Sequence, residues 1–283
     1  MIYIKLLGGL GNQMFQYALG RNLALKNNDK LSIDLSELLL REKHINHTHR
    51  EFELDVFNIT YASKINKIPE WKIFTLISKK LFPVKPVIEQ NHFFNPQILD
   101  LKGNISLNGF WQTELYFKEI EDVIRKDFSF KQAPNVENSK LLNVIENSNS
   151  VSIHFRRGDY VTNSNALNFH GVCSKKFYQN SINHIKQHVV NPHFFVFSDE
   201  INWVKNNIEF QDRHTFIENN KSRNHEDMRL MLNCKHNIIA NSSFSWWGAW
   251  LNNNPDKIVI APKQWFVNEE TEIIPDNWIK IEN

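Results

Sequence analysis

Val151-Ser152-Ile153-His154-Phe155-Arg156-Arg157-Gly158-Asp159-Tyr160 is the stretch that decides the fold class. Its first half reads as a buried strand, and its second half breaks at once into two arginines, a glycine and an acid. A buried strand that ends in a charged turn is characteristic of an open α/β sheet. In such sheets ligands bind just beyond the carboxyl ends of the strands. The segments that follow alternate in the same way. Ser174 is placed to cap a helix whose face carries Phe177, Tyr178, Ile182, Ile185 and Val189. Strands are expected at residues 193–197, 237–240 and 257–260, and helices at 200–207, 226–236 and 245–251. Strand–helix alternation predicts a parallel sheet with helices on both faces.

The amino-terminal half opens on the same device. Ile2 to Leu7 reads as a strand, Gly8-Gly9-Leu10-Gly11-Asn12-Gln13 as a turn, and Met14, Phe15, Ala18, Leu19 and Leu23 as one face of an amphipathic helix. A second strand is expected at 31–34, another at 105–110, and helices at 71–82 and 114–128. Residues 132–150 are polar and contain Pro134, so the domain boundary is placed near 148, giving lobes 1–148 and 149–283. The expected fold is therefore α/β, with two Rossmann-like lobes facing a cleft.

Composition narrows the function. The chain has 283 residues, 41% hydrophobic and 23% charged, so it can bury a core and is not disordered. A net charge of +2 is too balanced for a nucleic-acid binder. Two cysteines, Cys173 and Cys234, make no disulfide framework and no zinc spacing. The start has no basic leader, and no apolar run is long enough to span a bilayer. The expectation is a cytoplasmic protein. The lysine-bearing helix at 71–82 allows at most a peripheral membrane contact.

Several residues carry chemistry. Arg156 and Arg157 would sit at the mouth of the sheet, where guanidiniums bind phosphate bidentately and stabilise charge that grows on a leaving diphosphate. A surface ion pair is the alternative. Ser242, Ser243 and Ser245 stand at a strand-to-helix junction, where free helix N–H groups favour anions; simple capping is the alternative. Asp199-Glu200 and Glu226-Asp227 could accept hydrogen bonds from a ribose or a base edge, or could cap helices. Trp246, Trp247 and Trp250 read as core. Gly8–Gln13 matches a dinucleotide fingerprint poorly. It lacks the third glycine and has only Asp34 as the distant acid, which leaves an oxidoreductase or nucleotide-binding module as a weak alternative. No Asp-x-Asp pair suggests a metal, and His44, His47 and His49 form only a loose cluster.

Together these segments resemble glycosyltransferase family 11, the α-1,2-fucosyltransferases, especially bacterial ones. The resemblance rests on Gly8-Gly9-Leu10-Gly11-Asn12-Gln13-Met14-Phe15-Gln16-Tyr17, on Gly109-Phe110-Trp111-Gln112 before Tyr116, and on His154 to Tyr160 followed by His170-Gly171. Ser198-Asp199-Glu200 and the stretch 227–250 complete it. Phe155 stands where Ile or Val is usual. The resemblance implies a GT-B-like fold with residues 1–148 on the acceptor side and 149–283 binding the nucleotide-sugar, GDP-fucose as donor, a galactose-terminated glycan as acceptor, inversion at the anomeric carbon, and no metal or other cofactor. It implies that Arg156 and Arg157 bind the diphosphate and that His154 lies close to the donor. Asp199 and Asp227 would contact guanosine, Ser243, Phe244 and Ser245 would line the phosphate and fucose pocket, and Gly11 and Asn12 would close over the donor. The family's general base has no clear counterpart, because residues 161–165 contain no acid; Asp159 and His154 are the candidates. Transfer from another GDP-sugar would keep the arginines and change the sugar pocket near Ser243.

Overall fold

A computed structural model describes residues 1–39, 50–65, 84–221 and 223–283. The expected helix at 71–82 and the histidines at 44, 47 and 49 lie outside the described residues. The chain divides into two compact units, Met1–Lys131 and Gln132–Asn283. The division falls ahead of the boundary placed at 148, because the polar stretch contains a helix, Val136–Glu146, capped by the Asn135 side chain. That helix is pinned to the second unit. Asn138 donates from Nδ2 to Asn220 Oδ1 at 2.8 Å, and the buried Glu226 accepts from the same group at 3.2 Å.

The first unit holds a five-stranded parallel sheet in the order β3-β2-β1-β5-β4. Its strands are β1 (Ile2–Lys5), β2 (Leu31–Asp34), β3 (Ser63–Ile65), β4 (Lys85–Ile88) and β5 (Ile105–Asn108). Pro86 sits in β4, an edge strand, where a missing N–H is tolerated. The helix Leu10–Lys26 was expected to be amphipathic, yet almost all of it from Leu10 to Ala24 is buried. Its polar residues go inside because each finds backbone or charged partners. Gln13 donates to Gly8 O and Glu51 O and accepts from Glu53 N. Gln16 accepts from Leu7 N and donates to Gly109 O. Tyr17 and Arg21 both reach Asp127, at 2.6 and 2.9 Å. The helix thereby fastens the loops around it. The expected helix at 114–128 is instead two short 3₁₀ turns followed by the helix Glu121–Asp127.

The second unit holds a six-stranded parallel sheet in the order β11-β10-β9-β6-β7-β8. The strands are β6 (Asn149–Phe155), β7 (Pro192–Ser198), β8 (His214–Phe216), β9 (His236–Ile238), β10 (Val259–Pro262) and β11 (Ile279–Ile281). Alternate residues of a strand point to opposite faces, and both faces are covered. Val151, Ile153, Phe155, Phe194 and Val196 pack with Phe177, Tyr178, Ile182 and Ile185 of the helix Lys175–His188, which Ser174 caps as expected. Phe195 and Phe197 pack on the other side with Leu230, Met231 and Cys234. Trp246, Trp247 and Trp250 are core residues of the helix Ser243–Leu251, and Trp246 Nε1 donates to Ile273 O at 2.7 Å. Both cysteines are buried and free. Among the described residues no helix is long and apolar enough to cross a membrane.

The fit of the first helix on its sheet is close enough to test. A Cβ at Gly20 would lie 2.8 Å from Leu31 Cδ1 and 3.2 Å from Ile4 Cβ. Gly20→Ala is expected to lower stability by about 1–3 kcal/mol, as overpacking of a filled core does, read as a lower midpoint in urea unfolding with the m-value unchanged.

Candidate functional site

β6 lies between β7 and β9, so three carboxyl ends meet at the middle of the second sheet. β6 delivers Arg156 and Arg157, β7 delivers Asp199 and Glu200, and β9 delivers Asn241 to Ser245. Asp199 joins the first two ends. Its Oδ1 accepts the Arg157 backbone N–H at 3.0 Å, and its Oδ2 pairs with Arg156 Nη1 at 2.8 Å. Gly158 is required beside it, because a Cβ there would come within 2.5 Å of Asp199 Oδ2. Arg156 Nη2 also donates to Asp159 Oδ1, and its guanidinium lies over the Tyr160 ring at 5.3 Å. Arg157 pairs with Glu200 at 3.1 Å, and its guanidinium stacks on Trp203 at 3.5 Å. Both arginine side chains remain partly open, at 23% and 17% exposure.

The third end is tied in by aromatic and amide contacts. Tyr160 donates to Asn241 O at 3.4 Å and stacks on His170 with the rings 4.4 Å apart. Asn241 donates to His170 O at 2.7 Å and to Trp265 O at 3.2 Å. Phe244, in the first turn of Ser243–Leu251, lies beside His154, with ring centroids 5.9 Å apart. Ser242 is the N-cap residue but makes no side-chain capping bond, and Ser245 Oγ donates to Ser242 O at 3.3 Å. Burial pushes the His154 imidazole down to about 3, and the Arg156 charge acts in the same direction. The ring is therefore neutral at pH 7.

The structure brings Arg156, Arg157, Asp159, Asp199, His154, Phe244 and Ser245 into one neighbourhood. Both Asp199 oxygens serve the arginine turn. Asp227 belongs to a different polar network, with Asn138, Asn219, Asn220, Glu226 and Arg229. It accepts from Asn220 Nδ2 at 2.7 Å, and burial raises its carboxyl to about 6, with Glu226 adding to the rise. Gly11 and Asn12 lie in the first unit, in the first turn of Leu10–Lys26, where Gln112 Nε2 donates to Asn12 Oδ1 at 2.8 Å. Asp34, the acid that a dinucleotide ribose would need, is buried and accepts from Ser36 N. A cavity of about 440 Å³ lies at the opposite, amino-terminal edge of the second sheet, lined by Asn149, His193, Arg213 and Lys235; it is remote from the arginine turn along the strands.

Sequence reasoning missed Trp203 as the surface on which Arg157 lies and Glu200 as its ion partner. An indole three residues past a strand-end acid pair is the signal that could have found the first. Among the described residues no group of three or more His, Cys, Asp or Glu side chains is placed to hold a metal. Chemically, two fixed guanidiniums, a neutral imidazole and a helix start make a receptor for a polyanion such as a diphosphate.

The model of glycosyl transferase family 11 matches residues 1–282. The chain is 40% identical to the alpha-1,2-colitosyltransferase of Escherichia coli, over 100% of this chain and 99% of that protein. It is 33% identical to the O-antigen biosynthesis glycosyltransferase WbnK of Escherichia coli, over 99% and 100% of the two chains. Galactoside alpha-(1,2)-fucosyltransferase 1 of Bos taurus is 24% identical, over 90% of this chain and 67% of that one. Among solved structures, a mutant of Arabidopsis thaliana FUT1 in complex with GDP superposes with a TM-score of 0.51 and 10% identity, covering 93% of this chain and 71% of that one. That likeness is one of fold, the α/β, GT-B-like fold expected from the sequence. With its full-length family match and two bacterial relatives above 30% identity, the chain belongs to glycosyltransferase family 11.

Proposed function

We propose that the protein transfers L-fucose from GDP-fucose to the 2-hydroxyl of a terminal galactose, with inversion and without a metal, in the assembly of a bacterial surface polysaccharide. The cytosol, or the inner face of the membrane, is the compartment that suits such a donor. The observation that carries the reading is the arginine turn: Arg156 and Arg157 held by Asp199 and Glu200 at the carboxyl end of the central strand. In the reaction the bond from the anomeric carbon to the β-phosphate oxygen breaks, and a bond to the acceptor oxygen forms on the opposite face. The departing GDP gains negative charge that the fixed guanidiniums stabilise more than they stabilise the intact donor.

The acceptor proton needs a base. His154, held near 3, is a weak one at neutral pH. Asp159, three residues beyond Arg156, is the carboxylate assigned to that role. Ser243, Phe244 and Ser245 line the phosphate and sugar end, and Asp227 receives the donor N–H groups of the guanine edge. A second reading, transfer of colitose from its GDP ester, is favoured by the 40% identity to a colitosyltransferase. Colitose is fucose without the 3-hydroxyl. A site that bonds that hydroxyl rejects the deoxy sugar strongly, whereas one that leaves it open accepts both. Comparing kcat/KM for the two donors therefore decides between them.

Incubation with GDP-fucose and lactose, with and without EDTA, is expected to give acceptor-dependent GDP release that EDTA does not alter. Arg156→Ala is expected to lower that rate by about 10²–10³-fold; near-normal release would overturn the arginine's role. Asp159→Asn is expected to lower kcat by about 10²-fold or more, and an ordinary kcat with an ordinary pH profile would remove Asp159 as the base. Asp227, with its carboxyl raised to about 6, is protonated below that pH and ionised above it. GDP affinity measured by calorimetry is therefore expected to rise between pH 5 and 7 more steeply in the wild type than in Asp227→Asn. The variant serves as the control for titration of the nucleotide's own phosphate.

A further inference from the structure

The cavity at the amino-terminal edge of the second sheet has no part in the proposed transfer, and the strand order builds it. β9, β6, β7 and β8 are neighbours in that order, so the residues that lead into them are brought side by side. Lys235 precedes β9, Asn149 opens β6, His193 lies at the start of β7, and Asp212 and Arg213 precede β8. All five line one cavity of about 440 Å³, within the range of about 300–1,000 Å³ that small-molecule sites occupy. Its wall is electropositive. Asp212 is the one carboxylate among the described residues of the lining, and it is committed to Lys186 at 2.9 Å, so the charges of Arg213 and Lys235 are left in excess. They approach from opposite sides: Lys235 Nζ donates to Asn149 Oδ1 at 3.3 Å, and the Arg213 charge acts on His193. His193 itself is 3% exposed. Its Nε2 is bonded with Thr215 Oγ1 at 2.9 Å, while Nδ1 is buried with no hydrogen-bond partner among the described residues. A buried nitrogen left in that state is costly, and an oxygen of a bound molecule beside the ring would satisfy it. Burial, with Arg213 and His214 adding to it, holds the imidazole down at about 4, so the ring is neutral at pH 7 and can give or take a hydrogen bond. The wall is also fixed in advance: Asn191 has φ +48°, and Asn149 Nδ2 donates to Val190 O at 2.6 Å.

We propose that this cavity is a second anion site, separate from the arginine turn, for a small phosphate monoester whose body carries hydroxyl groups. Arg213 and Lys235 take the phosphate, one as a planar fork and the other as a point charge. Asn191 and His193 take the hydroxyls, for which an amide and a neutral imidazole are suited. The lining has no large apolar side chain to receive an acyl chain, which favours a free sugar phosphate over a lipid headgroup. Such a site would exist whatever the arginine turn binds.

The test uses the full chain with glucose 1-phosphate as probe, read by calorimetry and by the NMR shifts of the His193 ring. Because the arginine turn could also take a phosphate, the titration is repeated in Arg156→Ala. Binding is expected to survive in Arg156→Ala, to move the His193 resonances, and to weaken by about tenfold or more in Arg213→Ala. Lys235→Ala is expected to weaken it in the same way, and thermal melting checks that both variants fold. Binding unchanged in Arg213→Ala would overturn the proposal, and so would its loss in Arg156→Ala, which would give the phosphate to the arginine turn. Glucose binding as tightly as its phosphate would overturn it too, since no charge would then be read. A wild type that shows no binding at millimolar probe would leave Arg213 and Lys235 only to balance the carbonyl ends of the helices that stop at Glu146 and His188, and would sink the site. Co-sedimentation with vesicles of phosphatidylcholine and phosphatidic acid, lost in Arg213→Ala and without any response to glucose 1-phosphate, would overturn the free sugar phosphate in favour of a lipid headgroup.

Discussion

The second unit is organised around one carboxylate. Asp199 accepts a backbone N–H from the end of β6 and pairs with the Arg156 guanidinium, so it determines both where the chain turns and where the first cation points. Neighbouring choices follow from it. Position 158 must be glycine because the space for a side chain is already filled by the Asp199 carboxylate. Arg157, turned away from Asp199, finds a flat indole and a second carboxylate. Tyr160 can then reach back to Asn241 and link the turn to the start of the last long helix. A buried parallel sheet supplies the rigid support that makes such a turn reproducible.

Much of this was legible in the sequence because Val151, Ile153 and Phe155 fall at alternate positions, as in a strand, directly ahead of a charged turn. The helix at Lys175–His188 was legible because Ser174 and a four-residue periodicity both mark it. The position of the arginines at a strand end was legible, while the ion pairs they make with Asp199 and Glu200, the alternative use the sequence left open, are a matter of tertiary geometry. Other features were hidden for physical reasons. Val136–Glu146 carries Leu141, Leu142, Val144 and Ile145, but it lies in a stretch with Pro134 and several Asn and Ser residues that together read as a linker. β3 and β11 have three residues each, and β4 contains a proline. The first helix looked amphipathic because Gln13, Gln16 and Asn22 are polar, but they are buried on partners far away in sequence. Which oxygen of Asp199 meets which nitrogen is likewise a matter of tertiary geometry.

The two units reuse one plan with different chemistry. Each places a helix after a strand-end turn, and each turn needs a glycine at a close approach: Gly158 against Asp199 in one, and Gly8 against Asn12 in the other, where a Cβ would lie 2.4 Å from the amide nitrogen. In the second unit the turn carries guanidiniums. In the first it carries amides, fastened by the polar residues of the buried helix. The shared fold sets the location of such turns, and the side chains at each turn set what it can hold.

The ion pairs of Arg156 also set the terms on which it could meet an anion. Asp159 and Asp199 occupy its two terminal nitrogens, so a polyanion arriving there would be bound by exchange and not by capture of a bare cation. The carboxylates remain as resident counter-ions, ready to reclaim the guanidinium once the anion loosens. In the proposed reaction such a built-in competitor would weaken the hold on the spent GDP, shorten its residence time and favour turnover over tight product binding.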